Sequence, residues 1–490
     1  MQFNPATIKN RDLYLDKVLE QPQLIQLALD KLNISGNFTS AARVWTPGGG
    51  SSLFNITTND GKKYFMKVKH SAVTVESKLE TEPKFILLSA LQNEYKFLQK
   101  YQDSPYIPKL VGYTELSDYD FLVTEALINF DDGIKQSSPE ETVEYYQQIE
   151  SFVRAIFENG DIHTDLHEKN IMFRDKTPVI IDWEEARHLP QTTDFTNSLD
   201  VKGANYLGNI GQTPKSPGML PGHTSLNRLK LVFNNVLSDK IQPLLSLIAY
   251  NAESGICTSL NHGQDSRSYQ SINLGQLKWT GQRPGNDWRI RVIKQIILTI
   301  WNKTNLTYVD IGSNIGNFTR SVGKLANVRM SIGIEGAPNY NRIARLLAFI
   351  DNSSNNQYFD LICGENDLTQ PLAKYNDIVY GMLSVYHHIK NQAKFLSDLC
   401  ATNPIGLIVE LPTQPECYPN SSWRHEIAKL SNQLTLPYHR VISYTPDYRR
   451  PLVILSNTPY STKQKLILSF IGIVMGLIAL GYKLTRLFRL

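Results

Sequence analysis

Four short runs in the second half of the chain, TYVDIG (residues 307–312), MSIGIEG (330–336), DIVYGML (377–383) and GLIVELP (406–412), are apolar almost throughout, and the segments between them carry apolar residues at helical spacing. A strand with one wet face alternates apolar and polar residues, so runs like these belong to strands buried on both faces. The arrangement that buries them is a mostly parallel sheet covered by helices, an α/β domain. Two later runs, HRVISYT (439–445) and PLVILS (451–456), flank PDYRR and predict an antiparallel hairpin closing that sheet.

The first half reads differently. QPQLIQLALDKL (21–32) has the spacing of an amphipathic helix within an N-terminal helical segment, residues 1–35. From Arg43 to His70, two turn signals, Gly48-Gly49-Gly50 and Asn59-Asp60-Gly61, divide three runs rich in β-formers, which predicts an antiparallel meander. A helical pattern follows in LLSALQNEYKFLQKY (87–101), then a buried strand in DFLVTEAL (120–127). Ser138-Pro139-Glu140-Glu141 combines an N-cap serine, a first-turn proline and acids favoured by the helix dipole, so a helix starts there, and Asn159-Gly160 ends it. Residues 187–225 are loop-rich, helical pattern returns from Leu226, and the polar stretch ESGICTSLNHGQDSRS (253–268) marks a domain boundary. A chain of 490 residues is long enough for two or more cores.

Between these elements lies HTDLHEKN (163–170), followed by PVIID (178–182). Asp165 and Asn170 stand five residues apart, and Asp182 ends a buried strand as an exposed carboxylate. Transfer of a γ-phosphoryl group needs metal ligands, a cation over the phosphates, a flexible cover and a carboxylate beside the attacking hydroxyl. The order of these residues resembles the catalytic and metal-binding segments of the protein-kinase-like superfamily. That resemblance, spanning residues 36–250, implies an α+β bilobal fold using ATP and Mg2+, with Asp165 orienting the acceptor hydroxyl and Asn170 and Asp182 holding magnesium. It gives Gly48, Gly49 and Gly50 the phosphate cover, Lys67 the phosphate-pairing lysine and Glu94 its partner, and it makes Glu125 and Leu127 part of the hinge whose backbone meets adenine. His163 braces the loop in this fold. Three departures, His167 two residues after Asp165, DWE in place of Asp-Phe-Gly, and no Ala-Pro-Glu, are similar to small-molecule and sugar phosphotransferases and argue against a protein acceptor. Glu184 has two readings, a helper at the metal or a solvent-facing acid.

YVDIGSNIGNFT (308–319) puts an acid at a strand end and Gly312 and Gly316 in the turn entering a helix, where the backbone can approach a ligand; Glu335 ends the next strand, where it can accept ribose hydroxyls. Because the acid precedes the first glycine and NDIVYGMLSVYHHI looks like a fourth-strand segment, residues 265–457 resemble the Rossmann-like class I methyltransferases, whose donor is S-adenosylmethionine. The resemblance implies that Asp310, Gly312 and Gly316 hold the methionine portion, Glu335 the ribose, and that Asp367 lies near adenine. His387 or His388 is either a base or a loop-positioning pair. The glycine motif departs from Gly-x-Gly-x-Gly, with Ser313-Asn314-Ile315 inside it, and asparagine tolerates the positive φ such a turn needs. Arg283, Arg289 and Arg291 are candidates for an anionic acceptor, or ordinary surface arginines.

LILSFIGIVMGLIALGY (466–482) has seventeen residues without a charge. Its ten Leu, Ile, Val or Phe residues supply roughly −3 to −6 kcal/mol near a bilayer centre, which predicts a C-terminal apolar, membrane-anchoring helix that spans at the short limit. A buried core helix or an interfacial helix is the alternative, the latter because KLTRLFRL follows. Gly472 and Gly476 have the spacing through which two such helices pack into a homo-oligomer, a spacing also common by chance. Lysine and arginine flank both sides, so charge does not set an orientation. A net charge of +4 gives no reason to expect nucleic acid as a partner, and Cys257, Cys363, Cys400 and Cys417 form no C-x-x-C pair, which fits a reducing compartment. The combination resembles bifunctional kinase/methyltransferases that terminate O-antigen chains, and implies a membrane-anchored enzyme with cytoplasmic catalytic domains acting on a glycan. The alternatives are a small-molecule kinase fused to a methyltransferase with unrelated substrates, and a membrane scaffold with a dead kinase-like domain.

Overall fold

The computed structural model describes residues 22–44, 52–70, 90–116, 119–163, 166–184, 186–188, 226–250, 270–281, 288–302, 305–383, 385–413, 422–444 and 450–487. The chain divides into two compact units, Met1–Val236 and Leu237–Leu490.

The first unit opens with helix α1 (Pro22–Lys31), whose Ile25, Ala28 and Leu29 are buried. It lies on a five-stranded antiparallel sheet of β1 (Phe38–Val44), β2 (Ser52–Thr58), β3 (Lys63–His70), β4 (Leu110–Leu116) and β5 (Tyr119–Glu125), in the order β1-β2-β3-β5-β4. Side chains alternate across β3, so Met66 and Val68 join the core with Ile25 and Leu29 while Phe65, Lys67 and Lys69 fall on the other face. The meander and β5 follow the sequence pattern. Strand β4 does not, because Gly112 interrupts it at a register shift where a Cβ would lie 2.7 Å from Leu32. Helix α2 (Ala90–Lys100) carries Glu94 between β3 and β5 in sequence. Below follow β6 (Ile128–Asn129), α3 (Phe130–Gln136) and α4 (Pro139–Glu158). A capping box fixes the start of α4: Glu141 N–H donates to Ser138 Oγ (3.1 Å) and Ser138 N–H to Glu141 Oε2 (2.7 Å). The unit continues with β7 (Asp161–Ile162), β8 (Ile171–Arg174), β9 (Thr177–Ile180) and β10 (Arg187–His188), which form two small sheets, β6-β8-β9 and β7-β10. Helix α5 (Leu226–Tyr250) crosses the boundary between the units in sequence. The result is a kinase-like α+β fold with several separate sheets.

The second unit begins with a hairpin, β11 (Ile272–Leu274) and β12 (Leu277–Trp279), and helix α6 (Trp288–Ile300). Its centre is a seven-stranded sheet of β13 (Leu306–Ile311), β14 (Val328–Glu335), β15 (Asn356–Asp360), β16 (Ile378–Leu383), β17 (Gly406–Glu410), β18 (Tyr438–Tyr444) and β19 (Pro451–Ser456), in the order β15-β14-β13-β16-β17-β19-β18. The first five neighbours are parallel; β19 runs antiparallel to both β17 and β18. Between the strands lie α7 (Asn317–Gly323), α8 (Pro338–Ile350), α9 (Thr369–Leu372), α10 (Gln392–Ala401) and α11 (Trp423–Gln433). Both sheet faces are covered: Val309, Ile334, Tyr380 and Val409 point into one core, and Tyr308, Val379, Ile408 and Ile454 into the other. The chain leaves β13 for β14 on one side and later returns to place β16 on the other, so the sheet has a switch point beside the carboxyl end of β13.

The C-terminal helix α12 (Thr462–Leu487) corrects the expectation of a bilayer span. Among the described residues, no helix is long and apolar enough to cross a membrane. Leu468, Ile471 and Met475 are instead buried in the second core with Ile293 and Ile297 of α6 and Ile442 of β18. Gly472 belongs to the same docking: a Cβ there would meet the Ile442 carbonyl oxygen at 2.5 Å, whereas one on Gly476 would meet nothing.

Candidate active sites

Lys67 is the hub of the first site. From the middle of β3 its Nζ lies 2.6 Å from Asp182 Oδ1, 2.7 Å from Glu94 Oε2 and 3.6 Å from Glu184 Oε1. Lys69, two residues on and on the same face, reaches Glu184 Oε2 at 3.2 Å. A half-buried and a buried lysine thus meet three carboxylates. Burial opposes the charge on Lys67, but Asp182, Glu94 and Glu184 outweigh it and hold its pKa above the usual lysine value. Burial pushes Glu94 up to about 7; Lys67 acts against this, while Asp182 and Glu184 add to it. Glu184 is therefore not a solvent-facing acid.

Backbone geometry delivers Asp182 to that hub. Its φ of 67° is left-handed, a conformation an aspartate adopts at modest cost and one that turns the carboxylate back under β3. The Ile181 N–H donates to the Asn170 carbonyl (2.9 Å), so Asn170 and Asp182 are held on adjacent strand ends. Asn170 is buried in a short helical turn, Glu168–Asn170, which His167 caps by accepting from Lys169 N–H (3.1 Å). His163 bonds the Ile181 carbonyl through Nε2 (2.8 Å) and sits edge-on to the buried Trp183 ring at 4.7 Å, a bracing position. Asn93 of α2 donates to the carbonyls of Glu184 (2.9 Å) and Ala186 (3.0 Å), tying the helix that carries Glu94 to the segment that carries Asp182.

Next to the hub, a cavity is lined by Leu53, Phe65, Leu122, Thr124 and Ile181 above Lys67 and Glu94. Apolar walls closing on a lysine suit a flat heterocycle whose phosphates extend to the charge. Leu127 packs with Leu53, Phe65 and Met172 beside it. The Glu125 side chain is turned elsewhere: it takes both oxygens to Arg174 Nε (2.9 Å each) and accepts from Lys109 N–H (2.8 Å). Glu94, Asp182 and Glu184 bring oxygens within 4.8 Å of one another, but they do so around Lys67 Nζ, so for a divalent cation the candidate donors are the side-chain oxygens of Asp182 and Asn170. Oxygen-only donors of this kind fit Mg2+. Gly48, Gly49, Gly50, Asp165 and Arg283 lie outside the described residues.

The second site lies at the switch point. Gly312, Asn314 and Gly316 all have left-handed φ (68°, 53° and 76°), so the turn is built from two glycines and an asparagine. A Cβ on Gly312 would fall 2.7 Å from Val385 Cγ2, and one on Gly316 2.7 Å from the Tyr358 ring. Glu335 is buried at the end of β14 and clasps this turn: Oε2 accepts from Asn314 N–H (2.9 Å) and Oε1 from Ala337 N–H (3.1 Å). Asp310 accepts from Thr319 Oγ1 (2.8 Å) at the start of α7, and burial pushes its carboxyl up to about 7. The glycines thus give room to Val385 and Tyr358, and Glu335 holds the turn through its backbone at the switch point of the sheet.

His387 and His388 follow Val385 in a short turn after β16, with ring centroids 3.9 Å apart. Burial, then His388 and Arg450, press His387 down to about 3; burial and Arg450 lower His388 as well. Burial thus disfavours the charged form of both imidazoles. Asp367 is exposed just before α9, accepting from Thr369 N–H (2.8 Å) and Oγ1 (2.6 Å). Arg289 is no surface arginine: it is buried against Glu410 at the end of β17 (3.0 Å) and lies over the Phe318 ring.

Comparison with known proteins bears on the first site. Residues 47–207 match the protein kinase domain. The dual specificity protein kinase TTK of Mus musculus is 25% identical over 182 residues, covering 36% of this chain and 20% of that protein, so the match spans about a fifth of the relative's length. A co-crystal structure of WbdD with the kinase inhibitor LY294002 aligns at a TM-score of 0.31 with 20% identity over 39% of this chain and 45% of that one. The methyltransferase domain of bacterial CtHen1 aligns at 0.29 with 16% identity over 35% of this chain and 98% of that one. The kinase match covers β2 to β10 and takes in Lys67, Glu94, Asn170 and Asp182. It supports a phosphotransferase that uses ATP and Mg2+.

Within the residues that match the protein kinase domain, sequence reasoning missed Lys69, Asn93 and Arg174. The Lys-Val-Lys spacing on a strand was a visible signal for the first, since it puts two cations on one face. Nothing local marked Asn93 or Arg174, whose partners lie 91 and 49 residues away.

Proposed function

We propose that the chain is a bifunctional transferase: an ATP-dependent phosphotransferase in the first unit and an S-adenosylmethionine-dependent methyltransferase in the second, both modifying the end of a glycan. The observation that carries the first activity is the Lys67–Glu94–Asp182 constellation, joined by ion pairs of 2.6 and 2.7 Å beside a cavity with apolar walls. ATP supplies the phosphoryl group, and Mg2+ neutralises the charge developing on it. Lys67 holds the phosphates, Glu94 orients Lys67, Asn170 and Asp182 hold the cation, and Asp165 positions the acceptor hydroxyl. In the second unit the turn from Gly312 to Gly316 holds the methionine end of the donor and Glu335 its ribose hydroxyls.

The lowered basicity of His387 and His388 favours an order. Methylation of a neutral alcohol needs a base near the working pH, and burial holds both His387 and His388 below the ordinary histidine value, which makes either a poorer match to that task. A phosphate oxygen is already anionic and needs no proton removed. Phosphorylation first and methylation second therefore suits these residues better than the reverse. The test exposes the full chain to labelled ATP and labelled S-adenosylmethionine with a panel of glycans, beside Asp165→Ala and Gly312→Arg. The proposal expects both labels on one acceptor, with Asp165→Ala removing both and Gly312→Arg only the methyl label. Methyl transfer undiminished in Asp165→Ala would refute the order, and no label on any glycan would refute the acceptor class.

A further inference from the structure

Helix α12 uses one apolar face for docking and leaves another uncovered among the described residues. At 100° per residue, the buried Leu468, Ile471 and Met475 lie on the opposite side of the helix from Leu466, Phe470, Ile473 and Leu477. These four are 67%, 65%, 61% and 63% exposed. A helix whose inner face is packed into a sheet is not available to cross a bilayer. Its outer face still presents a stripe of large apolar side chains over three turns, far more than scattered exposure produces.

Charge tells what covers that stripe. After Asp447 the chain has no acidic side chain and seven basic ones: Arg449, Arg450, Lys463, Lys465, Lys483, Arg486 and Arg489. Subtracting these seven from the chain's net +4 leaves −3 on residues 1–447, so the positive charge is concentrated at the end bearing the helix. Lys463 and Lys465 are exposed at the first turns of α12. A second copy of this chain meeting the stripe would bring these like charges together, whereas anionic headgroups above an apolar layer complement both the stripe and its basic flanks.

We propose that α12 is an in-plane membrane helix, docked on β18 and α6 by its inner face and seated in an anionic lipid surface by Leu466, Phe470, Ile473 and Leu477. This inference is independent of the two transferase activities.

The test is co-sedimentation of the full chain with vesicles of phosphatidylcholine containing phosphatidylglycerol, against vesicles of phosphatidylcholine alone. Wild type should bind the anionic vesicles, lose binding as salt rises, and be released by alkaline carbonate. Replacing Leu466, Phe470 and Ile473 by serine should lower partition roughly tenfold per residue with the thermal transition unchanged. Lys463→Glu with Lys465→Glu, on the helix start and away from the core, should lower it roughly fivefold per charge removed and abolish the preference for anionic lipid. The proposal is overturned by absence of vesicle binding, by serine variants that bind like wild type, or by resistance to carbonate, which a spanning helix would show. Light scattering that reveals a dimer which the serine variants convert to monomer, without vesicle binding, overturns it in favour of self-association.

Discussion

Gly312→Ala separates the methyl-donor site from the rest of the molecule. The residue sits at a φ of 68°, and its Cβ would fall 2.7 Å from Val385 Cγ2 and 3.2 Å from Val385 Cβ. Left-handed backbone costs a residue with a Cβ about 1–2 kcal/mol. The overlap must be relieved by moving Val385 or the turn, about 1–3 kcal/mol more in a packed site. Together about 2–5 kcal/mol is set against the geometry that holds the donor, enough for a loss of roughly 30-fold or more in affinity if the turn yields instead of the fold. Titration calorimetry of the full chain with S-adenosylhomocysteine measures this, and magnesium-dependent ATP turnover by the first unit serves as the internal control. Val385→Ala removes the nearest methyl and leaves only the 3.2 Å contact, so the double variant should recover the overlap share and keep the backbone share. Wild-type affinity in Gly312→Ala would refute the assignment of this turn to the ligand, and an additive double variant would refute the role of Val385.

Lys67→Met should lower kcat/KM for ATP turnover by roughly a hundredfold to a thousandfold while the chain stays folded, as steady-state kinetics beside a melting curve will show. Lys69→Met takes from Glu184, 12% exposed, the cation 3.2 Å away and leaves it Lys67 at 3.6 Å, so it should cost less than the about 3–5 kcal/mol of an uncompensated buried charge, roughly 1–3 kcal/mol in chemical denaturation. Adding Glu184→Gln should return most of that loss, and failure to do so would remove the pair from the account. Asp310 gives a pH signature. Its carboxyl is pushed up from about 3.8 to about 7 on folding, so the folded state holds a proton the unfolded chain releases. Its contribution is present in full below about 3.8 and falls as pH rises to about 7, by up to roughly 4 kcal/mol in all. Asp310→Asn should flatten that part of the stability profile between pH 4 and 7, and an unchanged slope would refute the burial assigned to this group.

The first site was legible because its chemistry is carried by residue types at fixed spacings on predictable elements. Asn170 and Asp182 fall at strand ends that the apolar runs delimit, and Lys67 on a strand bounded by turn signals, while Asp165 lies outside the described residues. The pairing of Lys67 with Glu94 followed from family order; the third and fourth partners did not, because Glu184 approaches from a segment 115 residues beyond Lys69. Glu125 shows the same limit. Its place at the end of β5 was readable, but its side chain is claimed by Arg174, which a linear pattern does not reveal. The parallel sheet was also readable, since runs apolar on both faces admit few other arrangements. Strand β4 was not, because Gly112 breaks the alternation that marks a strand.

The C-terminal helix shows why an uncharged segment does not by itself specify a span. Hydropathy sums over all sides of a helix, and the seventeen uncharged residues from 466 to 482 score as a short span because two opposite faces are both apolar. The inner face is needed for the core that α6 and β18 share, where Gly472 allows the helix backbone to reach Ile442. Undocking it to cross a bilayer would expose Leu468, Ile471 and Met475 of the helix and, beneath them, part of that core. Burying one face in protein and leaving the other for an apolar surface satisfies both stripes at once, and in sequence that division is invisible until the partner of each face is known.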